Sequence, residues 1–219
     1  MNDVPVSDDA EQPPKSSAFR GRDLDLESLK ALAHPLRVQI VDVLSTYGCF
    51  TASGLAERLG ESSGATSYHL RQLEKHGFVR EVEGKGTGRE RWWERTPGGI
   101  NLPYEGLEAS PVAREAGVMV ARQWNATKSR LVDDFEERAL DLLSAEWLET
   151  SVISTSNVRM NVQQLRELVS AWEALYEERI EMYRGQEGAG TRPVQIHFNA
   201  FPVVDGEETP IDDPGNVSG

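Results

Sequence analysis

The stretch 62-SSGATSYHLRQLEKHGFV-79 opens on serines and closes on a glycine, the punctuation of a single helix. Ser62 has the short hydroxyl that accepts from unpaired N–H groups at a helix start, and Gly77 tolerates the backbone that ends one. Between them Thr66, Leu70 and Leu73 fall at offsets of 0, 4 and 7, so they share one stripe, which is expected to be buried. The opposite stripe of Gly64, Ser67, Tyr68 and Arg71 is small, polar and aromatic with one cation. That face suits insertion into a groove about 12 Å wide whose base edges offer donors and acceptors.

Working upstream, Leu26, Leu29 and Ala33 share a helix face in residues 24–33, and His34-Pro35 ends that helix and starts another. The second helix carries Leu36, Ile40, Val43 and Leu44 on one stripe. After Tyr47-Gly48, a third short helix places Ala52, Leu55, Ala56 and Leu59 at i, i+3, i+4 and i+7, and Gly60 closes it. Downstream, FVREVE at 78–83 and RERWWERT at 89–96 read as strands joined by Gly84-Lys85-Gly86-Thr87-Gly88, a hairpin tip. Lys85, Arg89 and Arg91 project from or beside that tip, where a wing reaches the phosphate backbone. Trp92 and Trp93 are adjacent in a strand and face opposite sides, so one of them at most is core.

Three segments, LAHPLRVQIVDVL (32–44), SGLAERLGESSGATSYHLRQLEKHGFV (53–79) and GTGRERWWE (86–94), appear in this order. Together they resemble the winged helix-turn-helix of the ArsR family, over roughly residues 24–97. The resemblance implies that the capped helix enters the major groove, with base- and phosphate-contacting roles for Ser62, Ser63, Ser67, Tyr68 and Arg71. It also suggests that His69 seats the helix against the body of the domain. The chain departs from the family at Gly64, where serine is frequent, and at Tyr68, where His or Arg is frequent. Tyr68 keeps a hydroxyl that can bond a phosphate and a ring that can pack on a thymine methyl. Metal-sensing members of the family place Cys-x-Cys at the start of the third helix; Thr51 and Ser53 stand there in this chain, so no metal is expected.

Charge at first argues against DNA, since the net charge is −13. Its distribution removes the objection: residues 1–19 carry −3, residues 20–96 carry +1 and residues 97–219 carry −11. Cys49 is the single cysteine, which excludes an intramolecular disulfide framework and cysteine-based zinc ribbons and reads as a small packed hydrophobe in a reducing compartment. The acidic first twenty residues lack a signal-peptide core, and no run approaches the ~18 apolar residues of a membrane span. A cytoplasmic protein without membrane contact is expected.

In the C-terminal half, residues 111–143 read as one or two helices with Val112, Ala116, Met119 and Val120 on one stripe. Residues 161–183 repeat apolar side chains at 162, 165, 169, 172, 176, 180 and 183, close to three heptads. The run 192–201 alternates Val194, Ile196, Phe198 and Ala200 with polar residues, a half-buried strand expected to pair with the run at 151–155. This module reads either as a dimerisation device or as the seat of an unidentified small-molecule effector, and the residues leave both open.

The fold class expected is mainly α with small β elements (α+β). A disordered arm (1–19) precedes a winged helix-turn-helix domain (20–99), a helical or α+β module (100–204) and a disordered acidic tail (205–219). The function expected is sequence-specific binding of double-stranded DNA by a homodimeric transcriptional regulator, more often a repressor in the ArsR family. The rival reading keeps the winged helix as a protein-interaction adaptor, which the near-neutral charge of residues 20–96 favours. Enzyme chemistry is not expected, nor a cofactor: there is no nucleophile elbow, phosphate loop or dinucleotide fingerprint. The cluster Asp133, Asp134, Glu136 and Glu137 reads as a solvated helix face.

Overall fold

The computed structural model describes residues 21–86, 90–102, 110–183, 185–186 and 188–210. The expected arm at 1–19 and most of the expected tail therefore lie outside the described residues. Within them, each early helix begins where a side chain can satisfy its orphan N–H groups. Asp25 caps α1 (Leu26–Leu32), His34 caps α2 (Pro35–Tyr47), Thr51 caps α3 (Ala52–Leu59) and Ser62 caps α4 (Ser63–Lys75). Gly60 ends α3 with φ of 69°, a left-handed conformation that a Cβ would disfavour.

Two small sheets complete the N-terminal unit. Strands β2 (Phe50–Thr51), β3 (Val79–Glu81) and β4 (Trp92–Arg95) form an antiparallel sheet in the order β2-β4-β3, with Val79 opposite Arg95 and Phe50 opposite Trp93. The antiparallel strand pair of the expected hairpin is present, with shorter strands than the sequence runs, while Thr87 and Gly88 of its expected tip lie outside the described residues. Strand β1 (Gly21–Asp23) pairs in parallel with β5 (Gly99–Asn101), a closure without a sequence signal. Arg22 fastens it by donating to the His76 carbonyl at 2.8 Å while its guanidinium covers the Phe78 ring.

One core joins these elements: Leu29, Leu32, Val38, Ile40, Leu55, Leu70, Leu73, Val79 and Trp93 are buried together with Ala116 and Val120. The last two come from α5 (Pro111–Leu142), one continuous helix capped by Ser110, which packs on α1 and α2. Its inward face is Ala113, Ala116, Gly117 and Val120, small residues that let the helix backbone approach closely. Val112, read as part of that stripe, points outward instead.

Helices α6 (Ala145–Glu149) and α7 (Val162–Leu175) follow. A capping box of Asn161 and Gln164 starts α7, and the helix then passes into a π turn at Tyr176–Ile180 and a 3-10 turn at Glu181–Tyr183. The expected helix over 161–183 is thus helical throughout but changes its hydrogen-bond period, and it buries no residue completely. The expected strand at 192–201 is a correction: neither it nor 151–155 joins a sheet. Alternation specifies a strand only where an edge is available, and here the inward side chain meets a helix, with Phe198 stacked on Trp172 of α7 at 4.6 Å. Val194 and Ile196 remain exposed.

The architecture is mainly helical, with an N-terminal winged helix-turn-helix and a helical C-terminal region. Among the described residues no helix is long and apolar enough to cross a membrane, and no group of His, Cys, Asp and Glu is placed to hold a metal ion.

Candidate nucleic-acid interface

Helix α4 is split by exposure as its sequence is split by polarity. Leu70 and Leu73 are 0 % exposed, and Thr66, also 0 % exposed, donates its hydroxyl to the Ala52 carbonyl of α3 at 2.8 Å. That bond ties the first turns of α4 to the start of α3. On the opposite side Ser63, Gly64 and Arg71 are exposed, Ser67 is half-buried and Tyr68 is 55 % exposed. The Ser62 hydroxyl is itself the helix cap, accepting from the Ala65 N–H at 3.1 Å. The first turn therefore presents backbone N–H groups and short hydroxyls at the positive end of the helix dipole, where an anion is favoured.

His69 lies on the inner flank at 9 % exposure and accepts a hydrogen bond at Nδ1 from Nε of Arg37 on α2, at 3.2 Å. Its ring contacts that of His34 at 4.4 Å between centroids. Burial, then the neighbouring His34 and Arg37, hold its pKa below the ordinary histidine value of 6.5. The seating role expected for His69 matches this position. Sequence reasoning missed Arg37, because a lone cation on an apolar helix carries no periodic signal.

The wing cations are less free than their sequence positions imply. Lys85 folds back over the Trp92 ring at 4.6 Å and lies 2.6 Å from Sγ of Cys49. Gly86 makes this turn possible: at φ of 99°, a Cβ there would meet the Glu90 carbonyl at 2.6 Å and the Trp92 ring at 2.9 Å. Arg91 pairs with Glu81 at 3.5 Å, and Arg80 with Glu94 at 2.6 Å, both exposed pairs. Arg89, the third expected wing contact, lies outside the described residues. Trp93 is 4 % exposed and Trp92 half-buried, the division expected of adjacent strand residues.

Behind the interface, Asp42 of α2 faces α5, with its Oδ2 buried and without a hydrogen-bond partner among the described residues. It lines a cavity of about 90 Å³ with Trp124, Thr127, Lys128 and Gln195. Burial pushes its pKa up to about 6, against the opposing pull of the Thr127 hydroxyl and the Lys128 and Arg130 charges.

No curated protein matches the chain in sequence. Among solved structures, reduced HlyU from Vibrio cholerae is 22 % identical, covering 42 % of this chain and 77 % of its own, with a TM-score of 0.28. YusO from Bacillus subtilis is 15 % identical over 57 % and 82 % of the two chains, with a TM-score of 0.30. Apo ZitR from Lactococcus lactis is 17 % identical over 70 % and 88 %, also at 0.30. Residues 32–82, from the end of α1 to the end of the first wing strand, match the family model of a helix-turn-helix domain.

Proposed function

We propose that the chain is a sequence-specific regulator of transcription, acting as a repressor, that binds double-stranded DNA as a homodimer with α4 in the major groove. The observation that carries this reading is the two-sidedness of α4: an inner face sealed into the core and an outer face of short hydroxyls, Tyr68 and Arg71 open to solvent. In this reading Ser62, Ser63, Ser67, Tyr68 and Arg71 contact bases and nearby phosphates, while Lys85, Arg89 and Arg91 contact the backbone through the wing. Lys85 and Arg91 exchange their present partners for phosphate on binding. The DNA-binding domain spans 20–99 and the dimerisation or effector module 100–204, with α5 shared between them through its inward face.

The outward stripe of α5 supports dimerisation. Exposed Val118 and half-buried Met119, which also packs on the core, lie at its middle beside a groove that reaches Pro35, and Glu115 and Arg122 lie equally far to either side in sequence. An antiparallel approach of two such helices about a two-fold axis between Val118 and Met119 sets each Glu115 against the other copy's Arg122.

Titration of a duplex pool with the full-length protein at rising salt tests the reading. Phosphate contacts release counterions, so affinity is expected to fall steeply with salt, by about 0.9 in the log–log slope per contact. Weak binding without salt dependence would favour the adaptor reading, which the Arg80–Glu94 and Arg91–Glu81 pairs support by cancelling charge on the wing.

A further inference from the structure

Arg37 reaches from α2 to two neighbours, donating from Nε to Nδ1 of His69 and from Nη1 to the Ala31 carbonyl of α1. A guanidinium has donors only and stays charged in proteins, so Nδ1 of His69 must be the bare nitrogen and its proton must sit on Nε2. His34 is used in the same way: its Nδ1 accepts the Leu36 N–H at 3.2 Å as the cap of α2. The ring of Tyr68 meets that of His69 edge-on, at 5.1 Å and 74°. One cluster thus links the end of α1, the start of α2 and the middle of α4, and it terminates on an exposed side chain of the outward face.

We infer that Arg37 and His69 are positioning residues for DNA recognition: neutral His69 holds Tyr68 and the α4 axis in the arrangement the groove reads, and a proton on His69 releases both. The inference rests on the DNA-binding reading above. A proton on Nδ1 would turn the acceptor into a donor and set two cations 3.2 Å apart, so the Arg37 bond must break. The groups facing His69 are His34 at the α2 start, Arg37 on α2, Glu61 in the turn before α4 and Tyr68 beside it. Two of these are basic and only Glu61 favours the charged ring, so release occurs on the acid side of pH 6.5.

The test compares full-length wild type with His69→Asn and His69→Leu, reading the ratio of affinity for a duplex enriched from a random pool to that for random duplex. The ratio cancels the general gain in phosphate attraction at low pH. Asn keeps an acceptor near the place of Nδ1 and cannot take a proton, whereas Leu removes the acceptor. Between about pH 7.5 and about pH 5.5 the wild-type ratio is expected to fall, by less than about tenfold, the most that one proton on a group titrating below 6.5 can do by that pH. His69→Asn should stay flat, and His69→Leu should be low throughout. A wild-type profile in His69→Asn, or a wild-type ratio in a folded His69→Leu, overturns the inference. Ring NMR of the wild type without DNA decides the structural half independently: Tyr68 resonances should follow the His69 titration, and if they stay fixed the inference fails. Should no duplex be enriched, the DNA reading falls while that titration still judges the cluster.

Discussion

Asp42 shows how one side chain can oppose the fold that holds it. Its carboxyl is raised from 3.8 to about 6 by burial, so the folded state binds the proton more tightly than the unfolded state does. The stability this proton supplies is complete below pH 3.8 and is lost as pH rises through about 6. The shift corresponds to roughly 2–3 kcal/mol. Asp42→Asn should therefore raise the thermal midpoint near neutral pH and flatten its decline between pH 4 and 6, as followed by circular dichroism. His69 acts with the opposite sign: its lowered pKa makes the folded state lose stability as pH falls below 6.5. For recognition, Arg71→Ala should weaken binding to an enriched duplex more than to random duplex, and an equal loss on both would reduce Arg71 to a phosphate contact. These residue-scale facts were only partly legible. Polarity placed Tyr68 and Arg71 on the outward stripe, but no pattern reports that Lys85 rests on Trp92 and Cys49, because rotamer and partner are decided after the hairpin closes.

The legibility of an element follows from whether its determinants are local. The helices α1 to α4 carry caps, stripes and closing glycines within a few residues, and their observed bounds fall within two residues of the reading. Ser62→Ala should accordingly cost about 1 kcal/mol, measured by denaturant unfolding, since it removes the hydroxyl that accepts from Ala65. The parallel pairing of β1 with β5 joins segments far apart in sequence and could not be read locally. The run 192–201 failed for the converse reason. Its alternation is real, but a strand requires a free edge and Phe198 found the Trp172 ring instead. The change of period after Leu175 was equally hidden, since the apolar spacing of 172, 176, 180 and 183 is that of an unbroken α-helix and carries no mark of a π turn.

For the whole molecule, the proposal assigns DNA to the N-terminal unit, since the C-terminal half carries most of the acidity, and assigns the dimer contact to α5, which packs on α1 and α2 of that unit. Arg122→Glu should shift sedimentation toward the monomer by placing like charges across the two-fold axis, and adding Glu115→Arg should restore the dimer with the signs exchanged. An unchanged dimer in the single variant would move the interface away from α5. The central claim, that this fold reads operator sequence through α4, is tested most directly by selecting bound duplexes from a random pool with the full-length protein at moderate salt. Enrichment of an inverted repeat, with half-sites about one helical turn apart, is the predicted result. A folded protein that enriches no sequence would contradict it.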